Sequence, residues 1–549
     1  MSADLTTVLA YPADVEQVVA LKTVREAGAR AIFLNGVREY GREGSDFTLE
    51  RLQYLMAIEE QFQALLLYDQ IDFLKAQLPI SEADREFALG IQRICLESAN
   101  GFQRFLRSRN TWATSRENLE VMFRVTGLAL NAIHNFVKWG YFLNEPGRSA
   151  PWKQLHALYL LAEHDSYVQV PFVLHPSQPN FRPSVQSLYL RTLILDLVNT
   201  GNLTKVQIEI ADGWFSSWCN DYSLDTEYSS RHHLFFVDLT SDTGMHLMRK
   251  DSHGETVRYM RADSLKTQIE EVQSGLRQGR LYAGYGAGGV FPVEEHIALL
   301  SIIEKLYDSI LAGSQNRIEE RTHFDDREVD VTLGVDRVMR KVREEPVPAA
   351  PAAPMFTLPA ASDTIELSSS GLSLVEVDGD RAKAQAADAG AALKAPGDPE
   401  VERWRVQDLS SKGYGLIVDR ASSDGVLLNG LLALQNHQNG GWIVGSVVRK
   451  LANRVRGEML VGVEVLSYRP IPIELTPADG SGAIQGIYLP GLDTNGKLDS
   501  IVVRAGEFTS TTGYVITTGG SEYRVRLNRI IKKGADWIKA RFEIEAKQV

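Results

Sequence analysis

Asp408-Leu-Ser-Ser-Lys-Gly413, running on into Tyr414-Gly-Leu-Ile-Val418, is the stretch that decides how this chain is read. An acceptor carboxylate, a hydroxyl and a glycine in the spacing D-x-S-x-x-G can hold a planar, hydrogen-bonding ligand such as a guanine base against a sheet. Taken alone, the same spacing also describes an ordinary polar turn. Its surroundings raise it. Strand-like runs divided by Asp-Gly, Asn-Gly and Gly-Gly turn signals follow to the C-terminus, and arginine pairs lie upstream.

Working outward, 549 residues are too many for one core, and three or four domains are expected. A hydrophobic fraction of 44% and a charged fraction of 23% place the chain among soluble globular proteins. The net charge of −12 argues against a dedicated binder of nucleic-acid polymers, whose footprint is a broad basic excess. Cys95 and Cys219 are the only cysteines, too few for a disulfide framework or a four-cysteine zinc site. The opening Met-Ser-Ala-Asp-Leu-Thr-Thr lacks the layout of a signal peptide. No apolar run approaches the roughly 18 residues of a membrane span. A cytoplasmic setting is expected.

Residues 1–165 read as an α-helical domain. Apolar positions recur at three- and four-residue spacing through Leu52–Ile58 and on to Leu74. Ser81–Asp84 and Thr114–Glu117 have the form of capping boxes. Phe102, Phe105, Phe123, Phe136, Trp139, Tyr141 and Phe142 fall at helical spacing and are expected in the core. Residues 166–312 read as a mixed α+β domain. Val206–Ile210 and His233–Asp238 are strand-like, Ser184–Val198 is helical, and a last helix covers about Val293–Leu311. Residues 337–401 carry Pro346-Val-Pro-Ala-Ala-Pro-Ala-Ala-Pro354 and are expected to form a mobile Ala/Pro-rich insertion.

Upstream of that insertion, Arg317-Ile-Glu-Glu-Arg321 sets two guanidiniums four residues apart, and Arg327 precedes a predicted strand at Val329–Val335. Arginine forks grip phosphate oxygens or the O6/N7 edge of guanine, and they stack on bases. A solvated helix end with glutamate partners is the bland reading of the same residues.

Together these elements resemble the PilZ domain, a small β-barrel whose family binds cyclic di-GMP. Arg317 and Arg321 match the family's R-x-x-x-R. Asp408, Ser410 and Gly413 match its [D/N]-x-S-x-x-G, and Leu460-Val-Gly-Val-Glu-Val465 is similar to its closing strand. The resemblance implies that the arginines, with Arg327 as a further candidate, grip phosphates and guanines, that Asp408 and Ser410 bond the guanine edge, and that Gly413 lets backbone approach closely. It implies a barrel from 313–336 plus 402–476, interrupted by the insertion, with a C-terminal β domain at 477–549. Such an insertion is tolerable because loop-closure cost grows only logarithmically.

Other signals are weaker. Asp238-Leu-Thr-Ser-Asp-Thr-Gly244 and Glu366-Leu-Ser-Ser-Ser-Gly371 echo the motif, and a degenerate second PilZ-like barrel is the alternative reading of 166–312. Gly284-Tyr-Gly-Ala-Gly-Gly289 satisfies G-x-G-x-x-G without the strand and acid that a dinucleotide fold requires. His232, His233, His246 and His253 lack tight ligand spacing, and no metal is expected. Neither a nucleophile elbow nor a P-loop is present, and no catalytic residue is assigned. Tyr523-Arg-Val-Arg-Leu-Asn-Arg529, then Lys532, Lys533, Lys539 and Arg541, make a small basic patch near Trp537, with a solvated outer face as the default and an anionic partner or an extension of the ligand site as the alternative.

The expectation is an α+β multidomain receptor that is not an enzyme and needs no cofactor. It binds cyclic di-GMP and relays the signal to a protein partner through its helical N-terminal domain. The alternative is an interaction scaffold whose PilZ-like barrel binds no nucleotide.

Overall fold

The computed structural model describes residues 11–42, 47–76, 80–113, 116–145, 150–199, 201–248, 252–282, 286–311, 322–324, 327–344, 400–410, 413–419, 425–435, 441–453, 456–478, 482–490, 499–510, 512–518 and 521–548. The chain divides into two units, Met1–Ile318 with Leu451–Gly457, and Glu319–Lys450 with Glu458–Val549.

The first unit begins with α1 (Ala13–Val19), α2 (Ala27–Gly41), α3 (Leu49–Lys75), α4 (Glu82–Arg107), α5 (Arg109–Trp112) and α6 (Arg116–Phe142). It continues with α7 (Trp152–His164), α8 (Val185–Val198) and α9 (Lys205–Trp218). The strands β1 (Ser223–Asp225), β2 (His233–Asp238), β3 (His246–Leu247) and β4 (Val257–Arg261) form an open antiparallel sheet in the order β1-β4-β2-β3. The helices α10 (Leu265–Arg277) and α11 (Val293–Leu311) follow.

One apolar core runs from Val15 through Phe102, Trp139 and Trp214 to Ile303. Residues 1–165 and 166–312 are therefore not two separate domains: the mixed region buries its apolar faces against the helices that precede it. Nor do the described residues here form a second barrel, because their four-stranded sheet is open and its Asp238 motif is a local turn. There the Asp238 carboxylate accepts from Thr240 N–H at 3.0 Å and from Thr256 Oγ1 at 2.9 Å.

Val206–Ile210, expected as a strand, lies in α9. Thr204 Oγ1 accepts from Gln207 N–H, and the Gln207 side chain accepts from Thr204 N–H, which starts the helix. The apparent alternation misled because Glu209, polar in sequence, is fully buried. Ser81 caps α4 by accepting from Asp84 N–H, whereas the box at Thr114 falls partly outside the described residues.

The charged groups around Asp212 inside this core are paired. Asp212 on α9 receives a bidentate fork from Arg191 of α8 at 2.6 and 2.7 Å and a bond from Lys138 of α6 at 2.8 Å. Lys138 also donates to Glu209 at 3.0 Å. His134 lies between Asp212 (2.8 Å) and the Thr192 hydroxyl (3.1 Å). A neutral imidazole with Nε2–H donating to Asp212 and Nδ1 accepting from Thr192 satisfies both contacts. Two acids and two bases balance the charge, and removing any one leaves an uncompensated buried ion.

The second unit holds two barrels. Strands β5 (Thr322–His323), β6 (Glu328–Leu333), β7 (Glu402–Ser410), β8 (Gly413–Asp419), β9 (Leu431–Gln435), β10 (Trp442–Asn453) and β11 (Glu458–Ser467) form one sheet in the order β5-β7-β6-β9-β10-β11-β8. Pairing of β7 with β8 closes six of them into a ring, with β5 flanking. The second barrel comprises β12 (Ile471–Pro477), β13 (Ile484–Leu489), β14 (Ser500–Arg504), β15 (Gly513–Thr518), β16 (Ser521–Lys533) and β17 (Trp537–Gln548). It closes in the order β12-β13-β14-β17-β16-β15.

Two expected boundaries move. β12 belongs to the second barrel, because it pairs with β13 and β15, so that barrel starts at Ile471 rather than 477. Residues from 337, expected within the insertion, begin instead inside a helix, α12 (Val335–Glu344). Val335, Val338, Met339 and Val342 sit at i, i+3, i+4 and i+7, and that stripe packs in one cluster with Leu431, Trp442, Ile487 and Trp537. Leu431-Leu-Ala-Leu434 is apolar throughout for the same reason. Its Leu431 and Ala433 face this cluster, while the buried Leu432 and Leu434 point to the other face of the sheet.

Burial pushes His134 down to about 4, against the pull of Asp212 and with Arg191 and Lys138 opposing its charge. Between pH 6.5 and 4 the unfolded chain takes up a proton that the folded chain refuses. Stability contributed by this group is therefore present above pH 6.5 and is lost as pH falls, at up to about 1.4 kcal/mol per pH unit. Asp196, raised by burial to about 6, acts in the opposite sense and is common to parent and variant. Denaturant unfolding at pH 7 and pH 5 should show a smaller acid loss in His134→Gln than in the parent. Equal losses would refute the assignment.

Candidate functional site on the first barrel

The register between β7 and β8 shifts by one residue. Arg405 pairs with Ile417 and Val406 with Leu416, but Asp408 pairs with Gly415, Leu409 with Tyr414 and Ser410 with Gly413. Gln407 is the extra residue of a β-bulge, and its carbonyl accepts from Phe324 N–H at 3.0 Å. Strict alternation would put Asp408 on the same face as Val406, inside the barrel. The bulge turns it to the outer face, beside Gly415.

Asp408 is nonetheless only 7% exposed. A Cβ on Gly415 would lie 2.7 Å from Asp408 Oδ1 and 2.8 Å from Oδ2, so the carboxylate occupies the space of the missing side chain. Gly415 in turn pairs with Gly462 on β11, and both are half-buried. The stem of Arg449, on β10, lies over Gly462: a Cβ there would meet Arg449 Cβ at 3.0 Å. A row across four strands thus reads Asp408, Gly415, Gly462, Arg449, with the acid folded over one glycine and the stem of the base over the other.

Gly413 has a different duty. A Cβ on it would come 2.4 Å from the Val463 carbonyl oxygen, so close packing of β8 on β11 requires glycine there. The Ser410 hydroxyl donates to the Gly413 carbonyl at 3.4 Å across the same turn.

The short β5 extends the sheet past the motif, pairing His323 with Asp408. Val406 N–H donates to the Arg327 carbonyl at 2.7 Å, which fixes the entry to β6 next to the bulge. The Arg327 guanidinium lies 5.0 Å from the Phe324 ring centroid. Burial pushes the Tyr414 phenol up, and the nearby Arg327 charge opposes that rise.

Of the residues expected at the site, Arg327, Asp408, Ser410 and Gly413 are therefore brought together around one bulged hairpin. Arg317 and Arg321 lie outside the described residues. Gly415, Gly462, Arg449 and Phe324 were not anticipated. The signal for the glycines was present, because both fall at outward positions of strands whose inward positions are apolar. Chemically, the row holds a carboxylate that can accept from an N–H edge and guanidiniums that can meet oxygens or anions.

Other expected or discounted clusters resolve into local bonds. His233 contacts Asp225 at 3.0 Å, His232 contacts Asp263 at 3.2 Å and His253 contacts Tyr259 at 3.2 Å. Among the described residues no group of three His, Cys, Asp or Glu is placed to hold a metal ion. In the 284–289 loop, Ala287 N–H donates to buried Glu209 at 2.9 Å, which gives that segment a structural role. No described helix is long and apolar enough to cross a membrane.

Residues 35–228 match a family model described as the N-terminal domain of the cyclic-di-GMP receptor FimW. This similarity supports the cyclic-di-GMP receptor family. The matched span runs from within α2 to just past β1 and contains the whole cluster of His134, Lys138, Arg191, Glu209 and Asp212. It belongs to the helical unit and precedes in sequence the barrel motif at Asp408. No curated protein and no solved structure matches the chain.

The contact of Asp408 with Gly415 makes a double-mutant prediction. Gly415→Ala should destabilise the protein by about 1–3 kcal/mol, because its methyl collides with the carboxylate. In an Asp408→Ala background most of that cost should vanish, as read from denaturant unfolding of all four proteins. Additive costs would show that the carboxylate does not occupy the space above Gly415.

Proposed function

We propose that this chain is a cyclic di-GMP receptor that takes its ligand on the PilZ-like first barrel and relays binding to a partner protein through its helical N-terminal unit. The observation that carries the reading is the bulge at Gln407, which sets Asp408 on the outer face beside Gly415. A guanine ring set against that hairpin would turn its N1–H and N2–H edge toward Asp408, with Ser410 alongside. Arg327 would stack on or grip the ligand. Arg317 and Arg321, the latter immediately before β5 in sequence, would complete the set by holding phosphates. The similarity of residues 35–228 to a receptor's N-terminal domain supports the ligand class independently of the motif. The setting is proposed to be cytoplasmic, where this second messenger is found.

One observation favours a scaffold that binds no nucleotide. Packing against Val463 already accounts for Gly413, so the motif glycine needs no ligand to explain it. Titration calorimetry of the whole chain with cyclic di-GMP separates the readings. A receptor gives saturable heat, and Asp408→Ala or Arg321→Ala weakens binding about tenfold or more, the worth of one charge-assisted bond. Absence of heat in the parent protein at millimolar ligand sinks the receptor reading and leaves the scaffold.

A further inference from the structure

We propose that the outer face of β16 and β17 on the second barrel docks against an anionic phospholipid bilayer. This surface is independent of the cyclic di-GMP reading.

The register carries the argument. β16 and β17 pair Arg529 directly with Arg541, and Lys532 with Lys539. Like charges facing each other across a ladder are destabilising. Lys532 is relieved by Glu464 and Ser446 of the first barrel, at 2.6 and 2.7 Å. Arg529 and Arg541 are both exposed, and neither forms an ion pair with another described residue. Arg524 extends the strip along β16, with exposed Glu522 two residues before it, and Glu543 faces Arg526. In a chain of net charge −12 this is a local concentration of positive charge.

Apolar surface sits beside it. Register shifts between Leu527 and Arg529 and between Ile530 and Lys532 break the alternation, leaving Ile530 and Ile531 exposed at 42% and 46%, with Ile530 paired to the interior Ala540. Buried Trp537 takes no part, so no aromatic platform for stacking bases accompanies the arginines. The outside of a closed barrel is convex, which suits a broad flat surface better than an extended peptide that needs a groove. Cations bordered by exposed aliphatic side chains fit lipid headgroups and the acyl boundary beneath them.

The test is co-sedimentation of the whole chain with vesicles of phosphatidylcholine alone, or of phosphatidylcholine mixed with phosphatidylglycerol, at low and at physiological salt. The chain should sediment only with the anionic vesicles, and less so as salt rises. Arg529→Glu with Arg541→Glu should lower the bound fraction about tenfold or more. Ile530→Ser with Ile531→Ser should weaken binding while leaving its salt dependence in place. Thermal melts of both variants, whose substitutions are exposed, establish folding, and Arg529→Gln with Arg541→Gln gives a milder second pair. No sedimentation with anionic vesicles overturns the proposal, as does undiminished binding by the charge-reversed protein. Binding to duplex DNA or polyglutamate without vesicle binding also overturns it and names a different occupant.

Discussion

The ladder between β6 and β7 is the constraint on which the second unit depends. It joins Glu328–Leu333 to Glu402–Ser410, two segments separated by the 345–399 sequence, in antiparallel register from Glu328 opposite Arg405 to Val331 opposite Glu402. Because β7 also pairs with β8 and β5, this one strand closes the ring and carries the bulge. The bond from Val406 N–H to the Arg327 carbonyl locks Arg327 beside the hairpin that holds Asp408. Without that ladder the motif would be a turn on a free hairpin, since an isolated two-stranded hairpin is marginal in water.

The second barrel and α12 continue the same logic. β9 and β10 are covered on one face by the first barrel's interior and on the other by the α12 cluster, which removes water from both sides of a short apolar sheet. Trp537 anchors the seam, with its indole N–H donating to the Asn429 carbonyl at 2.9 Å. Away from Trp537 and Lys532, the outer faces of β16 and β17 are left for solvent or for a partner, and there Arg529 and Arg541 lie.

In the helical unit the equivalent organiser is the paired charge around Asp212. Burying four ions gains little net stability over an apolar core of the same shape. It does fix the mutual positions of α6, α8 and α9, since the bidentate Arg191 fork tolerates only one geometry. Those residues fall inside the span similar to a receptor's N-terminal domain, so the network is a property of the part of the chain with a recognisable relative.

Much was legible from the sequence. Helices α3, α8 and α11 followed from their apolar patterns and the start of α4 from its serine cap, because both signals are local. The strands after Trp404 followed from alternation and turn residues, and Asp408, Ser410 and Gly413 stood out by spacing alone. What the sequence could not determine depended on partners distant in the chain. Val206–Ile210 alternates like a strand, yet α6 and α8 supply the counter-charges that let Glu209 and Asp212 be buried in a helix. The face on which Asp408 lies depends on one extra residue in a register that only β5, β6 and β8 together impose. Sequence thus named the chemistry of the motif, while tertiary pairing decided its direction, because a strand's two faces become inside and outside only when the barrel closes.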